Sequence, residues 1–134
     1  MGNVIGMARL VIIYCCLLLS ACSDVCQNQI ISETASPDHK QSVVLFQRDC
    51  GATSAFTTQI SILPPGEKPE GTGNVFVADD DHGTAPAGSW GGPWVSVKWL
   101  DSNHLQVTYA EGSRVFDQTE NVGGETVSFD TKSS

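Results

Sequence analysis

Trp94 to Ala110, WVSVKWLDSNHLQVTYA, reads as two strands and the turn that joins them. Val95, Val97 and Trp99 alternate with Ser96 and Lys98, and Leu105, Val107 and Tyr109 alternate with Gln106 and Thr108. Successive side chains of a strand point to opposite faces, so each segment has one apolar face to bury and one polar face to leave in water. Asp101-Ser102-Asn103-His104 supplies the small polar residues that favour a tight turn. The spacing therefore predicts a β-hairpin.

The same grammar extends outward. Ser42 to Arg48 (SVVLFQR) carries four consecutive apolar residues, the mark of a central strand covered on both faces. Phe56 to Leu63 (FTTQISIL) stops at Pro64-Pro65-Gly66, which cannot continue a ladder. Asn74 to Ala78 (NVFVA) is a short third or edge element, and Val115 to Val122 with Glu125 to Thr131 forms a second hairpin about Gly123-Gly124. Pro64 to Gly73 and Asp79 to Pro93, rich in Pro, Gly and acid, read as exposed loops. No long segment has helical spacing. The expectation is an all-β chain: a small single-domain antiparallel β-sheet or sandwich of about six or seven strands, after an N-terminal signal helix.

That leader is Leu10 to Leu19, a ten-residue apolar run ending in Leu19-Ser20-Ala21-Cys22, with Arg9 ahead of it. Ten residues are half of the roughly 20 that a helix needs to cross a bilayer. A short apolar run followed by small residues is instead a removable export signal, and Met7-Ala8-Arg9 offers as ordinary a start as Met1. The stretch resembles bacterial lipoprotein precursors, and the resemblance implies cleavage before Cys22 and a lipid on it. The organisation expected is then 1–21 signal peptide, 22–32 lipidated tether and 33–134 β domain. In such precursors Asp directly after the lipidated cysteine favours retention at the inner membrane. Ser23 therefore points to the outer membrane and a periplasm-facing domain.

Five cysteines are present: Cys15 and Cys16 leave with the signal and Cys22 takes the lipid, so Cys26 and Cys50 remain. Two thiols in an oxidising compartment predict one disulfide. It would close a loop of about 25 residues, for which chain entropy gives about 3.5 kcal/mol. Neither cysteine lies in a metal-binding Cys-x-x-Cys, and no local signature makes Cys50 a nucleophile. Lys and Arg number 7 against 15 Asp and Glu, a net charge of −8 that losing Arg9 makes more negative. Such a surface repels phosphate backbones, which excludes nucleic acid, and repels anionic headgroups, so attachment to a membrane must come from the lipid on Cys22.

Asp79-Asp80-Asp81-His82-Gly83 is the foremost candidate for chemistry. Three carboxylates and an imidazole after a strand end could wrap a cation, with Asp79, Asp81 and His82 as metal ligands. The alternating acids and distal Glu of a calcium loop are absent, so a solvated turn competes with that reading. Thr53, Ser54, Thr57 and Thr58 crowd the segment after Cys50 without a Gly-x-Ser-x-Gly or Ser-x-x-Lys motif, which makes them turn hydroxyls. Trp99 belongs to an apolar strand face. Trp90, between Gly88-Ser89 and Gly91-Gly92, either is exposed and touches a partner or sugar ring or folds back as a lid.

The Ser36-Pro37-Asp38-His39-Lys40 turn, the strand running into Cys50-Gly51-Ala52-Thr53, Asn74 to Val77, Asp81-His82-Gly83 and Trp99-Leu100-Asp101 together resemble a family of small uncharacterised bacterial envelope proteins. Those proteins carry an SPDGK turn and a Cys-Gly-Ala-Thr-Thr segment, and the resemblance implies a small β domain. The functional expectation is a lipid-anchored envelope protein acting as a non-enzymatic binding or accessory module for a protein or glycan, with no cofactor. The alternative is a small, metal-dependent hydrolase using the Asp79 to His82 loop.

Overall fold

The computed structural model describes residues 25–51 and 54–134. The expected signal segment, Cys22 and Ala52-Thr53 lie outside the described residues. Nine strands follow in order: β1 (Gln27–Ala35), β2 (Ser42–Asp49), β3 (Thr57–Leu63), β4 (Phe76–Asp79), β5 (Val95–Asp101), β6 (His104–Ala110), β7 (Arg114–Gln118), β8 (Asn121–Val122) and β9 (Glu125–Lys132). They form a five-stranded sheet, β1-β2-β3-β4-β7, and a four-stranded sheet, β5-β6-β9-β8. The chain is all-β, with its core between the two sheets.

The register shows why. Val43 pairs with Ile62, Leu45 with Ile60 and Ile60 with Phe76, so one apolar face runs across β2, β3 and β4. It meets Val95, Leu105, Val107 and Val127 of the second sheet in one buried cluster. The hairpin of residues 94–110 forms as expected, with Val97 opposite Val107 and Trp99 opposite Leu105. Its alternation places Leu105 and Val107 inside and leaves Ser96 and Lys98 exposed.

Nine strands exceed the expected six or seven for two reasons. Gln27–Ala35 is largely polar, and its first six residues fall in the stretch 22–32 expected as tether, but it pairs along β2 as an edge strand, so strand structure begins at Gln27. Val115 to Val122 splits, β7 joining β4 in the first sheet and β8 joining β9 in the second. That change of sheet also explains the one departure from antiparallel pairing. After β6 the chain runs the opposite way through β7 and β8, turns at Gly123-Gly124 (φ 59° and 88°), and returns as β9 parallel to β6. β4 is likewise no edge: it lies between β3 and β7.

The Pro64 to Gly73 segment is exposed as expected, apart from half-buried Pro69 and buried Gly73. Its backbone straps the outer face of the first sheet: Asn28 Nδ2 donates to Pro69 O at 3.0 Å and Gly71 O at 2.9 Å, and Gly73 N donates to Gln59 Oε1 at 2.7 Å. This accounts for Val44 and Phe46, which point away from the inter-sheet core yet are fully buried. Gly73 is required by the approach, since a Cβ there would lie 2.6 Å from Ile60 O. At the β1–β2 turn, Ser36 Oγ donates to Asp38 Oδ1 at 2.7 Å and Ser36 N to Gln41 O at 2.8 Å. The Ser36 hydroxyl, with the Lys40 amide, holds the Asp38 carboxyl below the usual carboxylate range. His39 sits there at φ 59°, a left-handed position that glycine adopts without strain.

Candidate functional site

Asp79 ends β4 opposite Arg114 of β7. Its carboxylate is buried, and the guanidinium grips both oxygens, Nε to Oδ1 at 3.1 Å and Nη2 to Oδ2 at 2.5 Å. Asp81 N also donates to Asp79 Oδ1, at 3.0 Å. Burial pushes the Asp79 carboxyl up, but the Arg114 and Asp81 hydrogen bonds and the Arg114 charge together outweigh it and hold the group below the usual carboxylate range. The same pairing raises Arg114.

The rest of the loop turns sharply. Asp81, His82 and Gly83 follow one another at φ 49°, 56° and 85°, and the turn is closed by Ala85 N to Asp80 O at 2.9 Å and by Thr84 N and Oγ1 to Asp81 O at 3.2 and 2.7 Å. His82 is exposed, and the Asp81 carboxylate lies 3.9 Å from Arg114 Nη1. The three metal candidates are thus not brought to one point: Asp79 is committed to Arg114, Asp81 faces the same cation, and His82 faces water. Among the described residues no group of three His, Cys, Asp or Glu side chains could hold a metal ion. The loop is chemically an ion-paired turn.

This geometry carries a pH prediction. A carboxyl whose folded pKa lies below its unfolded value contributes stability above the unfolded pKa and loses it as pH falls through the folded pKa. In Arg114→Met the guanidinium's hydrogen bonds and charge are gone and the Asp81 amide alone of the two hydrogen-bond donors still opposes burial, so the stabilising contribution of the ionised Asp79 shrinks. The melting temperature of Arg114→Met should therefore trail the parent most at neutral pH, and the gap should narrow as the solution is acidified through the depressed Asp79 pKa. Thermal melts of both proteins across that range check this, and a gap independent of pH would contradict it.

Trp90 folds back. Its indole Nε1 donates to Thr58 Oγ1 at 2.9 Å, and that hydroxyl donates to Pro93 O at 2.7 Å. Gln47 Nε2 donates to Trp90 O, and the ring packs against the core cluster. Two glycines make room: a Cβ on Gly88 would lie 2.5 Å from the indole, and one on Gly92 2.5 Å from Thr58 Oγ1. Trp90 is a lid on this end of the sandwich, and Thr58, fully buried, is its hydrogen-bonding seat. Thr57 Oγ1 donates to Arg48 O at 3.2 Å, so these hydroxyls satisfy backbone and ring partners. Thr53 lies outside the described residues.

Cys26 and Cys50 are bonded, as the count of thiols predicts. Beside them Asp49, Gly51, Ser54, Ala55, Phe56, Asp80 and Gly91 surround an open hollow of about 560 Å³. Asp80 therefore parts from Asp79 and joins Asp49 and Phe56, a grouping that spacing in the chain does not reveal. Sequence reasoning also missed a contact on the polar face of the second sheet, where His104 Nε2 and Ser128 Oγ lie 2.5 Å apart beside Gln106 Nε2 and Asp130 Oδ2 at 3.1 Å. Finding it requires the parallel β6–β9 register, for which these residues carry no local signal. No family model, curated protein or solved structure matches the chain.

Proposed function

We propose that this chain is a lipid-anchored protein of the bacterial envelope, held by an acyl group on Cys22 and working as a non-enzymatic binding or accessory module on the periplasmic side of the outer membrane. The observation that carries the reading is Leu19-Ser20-Ala21-Cys22 directly behind the apolar run Leu10 to Leu19, with Ser23 after the cysteine. Two features of the fold support it. The Cys26–Cys50 disulfide suits an oxidising compartment. The first strand starts at Gln27, so only a short lead separates the proposed anchor at Cys22 from the sheet. The non-enzymatic reading is favoured over a metal-dependent hydrolase because Asp79, one of the three candidate ligands, is paired with Arg114.

Metabolic labelling with a fatty-acid analogue tests the anchor. The parent chain should carry label and fractionate with membranes, chiefly outer membranes. Cys22→Ala should carry none and should remain as precursor or be released. Label persisting in Cys22→Ala would overturn the assignment.

A further inference from the structure

Where the tether ends decides which part of the molecule meets the membrane. From Cys22 to Cys26 is four residue steps, a reach of at most about 14 Å. At Cys26 the chain is welded to Cys50, so fraying of β1 cannot lengthen that reach. The bond closes one end of the sandwich. Gln27 pairs with Asp49 and Arg48 with Thr57, which brings Val25, the disulfide and Phe56 to that end; the hollow there adds Asp80 and Gly91. The opposite end holds the turns at Ser36 to Gln41, Asp101 to His104 and Gly123-Gly124. Trp99 Nε1 donating to Thr34 O at 3.0 Å and Thr126 N to Asn103 O at 2.8 Å gather those turns. At about 3.3 Å per residue, the eight residues of β2 put roughly 26 Å between the two ends, more than the tether can span.

The tethered end also carries apolar side chains in water: Val25 is 73% exposed and Phe56 43% exposed. Around Phe56 stand the carboxylates of Asp49 and Asp80, on a chain of net charge −8. From the tether length, the exposed apolar pair and the charge around it, we infer that the disulfide end of the sandwich is a membrane-contact surface, with Phe56 and Val25 seated in the headgroup layer of a zwitterionic bilayer. The inference rests on the lipid on Cys22. An aromatic ring gains by entering the interface, whereas Asp49 and Asp80 would be repelled by an anionic one, so phosphatidylethanolamine suits the surface and phosphatidylglycerol does not.

The test uses the full chain, purified from membranes and placed in phosphatidylethanolamine nanodiscs containing a gadolinium-chelating lipid. Intact mass is read first, and a product without acyl mass overturns the anchor and this surface together. For the lipidated product, amide signals of Val25 to Asn28, Asp49 to Gly51, Ser54 to Thr57 and Gly91 should be lost, while those of Asp101 to His104 and Gly123-Gly124 persist. Phe56→Ser should restore part of the signal at 54–57, and discs enriched in phosphatidylglycerol should do the same. Loss centred on the far turns, uniform loss, or a pattern indifferent to Phe56→Ser and to lipid charge, in a protein of correct acylated mass, overturns the surface alone.

Discussion

Phe76→Ala should lower the stability of the folded domain by about 3–5 kcal/mol, the range for deleting a fully buried aromatic side chain. Phe76 is 0% exposed on the inner face of β4, where it pairs with Ile60. Its ring reaches the second sheet, 5.1 Å from the Tyr109 ring and 6.0 Å from that of Phe129, measured between centroids. Truncation would therefore open a cavity at the seam between the sheets and remove two aromatic contacts, each worth about 0.5–1.5 kcal/mol beyond the area buried. Phe116 is the control. It stands 59% exposed on the β7 bulge under the Arg114 guanidinium, and Phe116→Ala should cost less than about 1 kcal/mol. Thermal or denaturant unfolding of the two variants separates them, and equal losses would contradict the placement of Phe76 at the seam.

The strands that the sequence shows best are those in which burial and period agree. In β5 and β6 one face is polar and one apolar, and the pattern of Val95 to Tyr109 gives both strands and the turn. In β2 both faces are buried, so alternation vanishes, but the run Val43-Val44-Leu45-Phe46 is itself the trace of that double burial. What hides β1 is its position. An edge strand buries little, and Gln27 to Ala35 supplies only Ile30 and Ile31 as sizeable apolar groups, with Ile31 alone packed on the core cluster. Its pairing is backbone chemistry, which leaves no hydrophobic signature. The β7–β8 break is hidden for a different reason: Val115 to Val122 keeps one extended direction while changing partners, and hydrophobic period is blind to which sheet a strand joins.

The candidate site divides along the same line. Asp79-Asp80-Asp81-His82 stands out as a cluster because its members are adjacent, but adjacency on a strand end sends successive side chains different ways. Asp79 turns to Arg114, Asp80 to the hollow shared with Asp49 and Phe56, and His82 to water. Arg114 lies 35 residues further on, and only the β4–β7 register brings it to Asp79. The two alternatives for Trp90 were both legible, and its choice follows from partners the sequence separates widely, Thr58 across the sandwich and Gly88 beneath the ring. The disulfide alone could be reached by counting.

Breaking that disulfide should have an effect comparable to losing Phe76. Cys26→Ser with Cys50→Ser should cost about 2–5 kcal/mol, with chain entropy setting the expectation near 3.5 kcal/mol for the loop closed. The loss should not be uniform. The bond sits one residue beyond the Gln27–Asp49 pair, at the open end of the β1–β2 hairpin, and β1 has β2 as its only neighbour in the sheet. Without the bond, peeling can begin at Gln27 and run toward the Ser36 turn. As Asn28 leaves, it gives up its bonds to Pro69 O and Gly71 O, so the strap over Val44 and Phe46 should loosen with it. Amide hydrogen exchange should accordingly rise first in β1 and in Gly66 to Gly73, and least in β3 and β4, which keep a neighbour on each side. Intact mass with and without reductant before alkylation reads the bond directly: two alkylated thiols in the unreduced parent would refute it. Exchange that rises evenly through both sheets would instead mean that β1 and the core unfold as one unit, and that the bond stabilises the whole domain rather than its exposed edge.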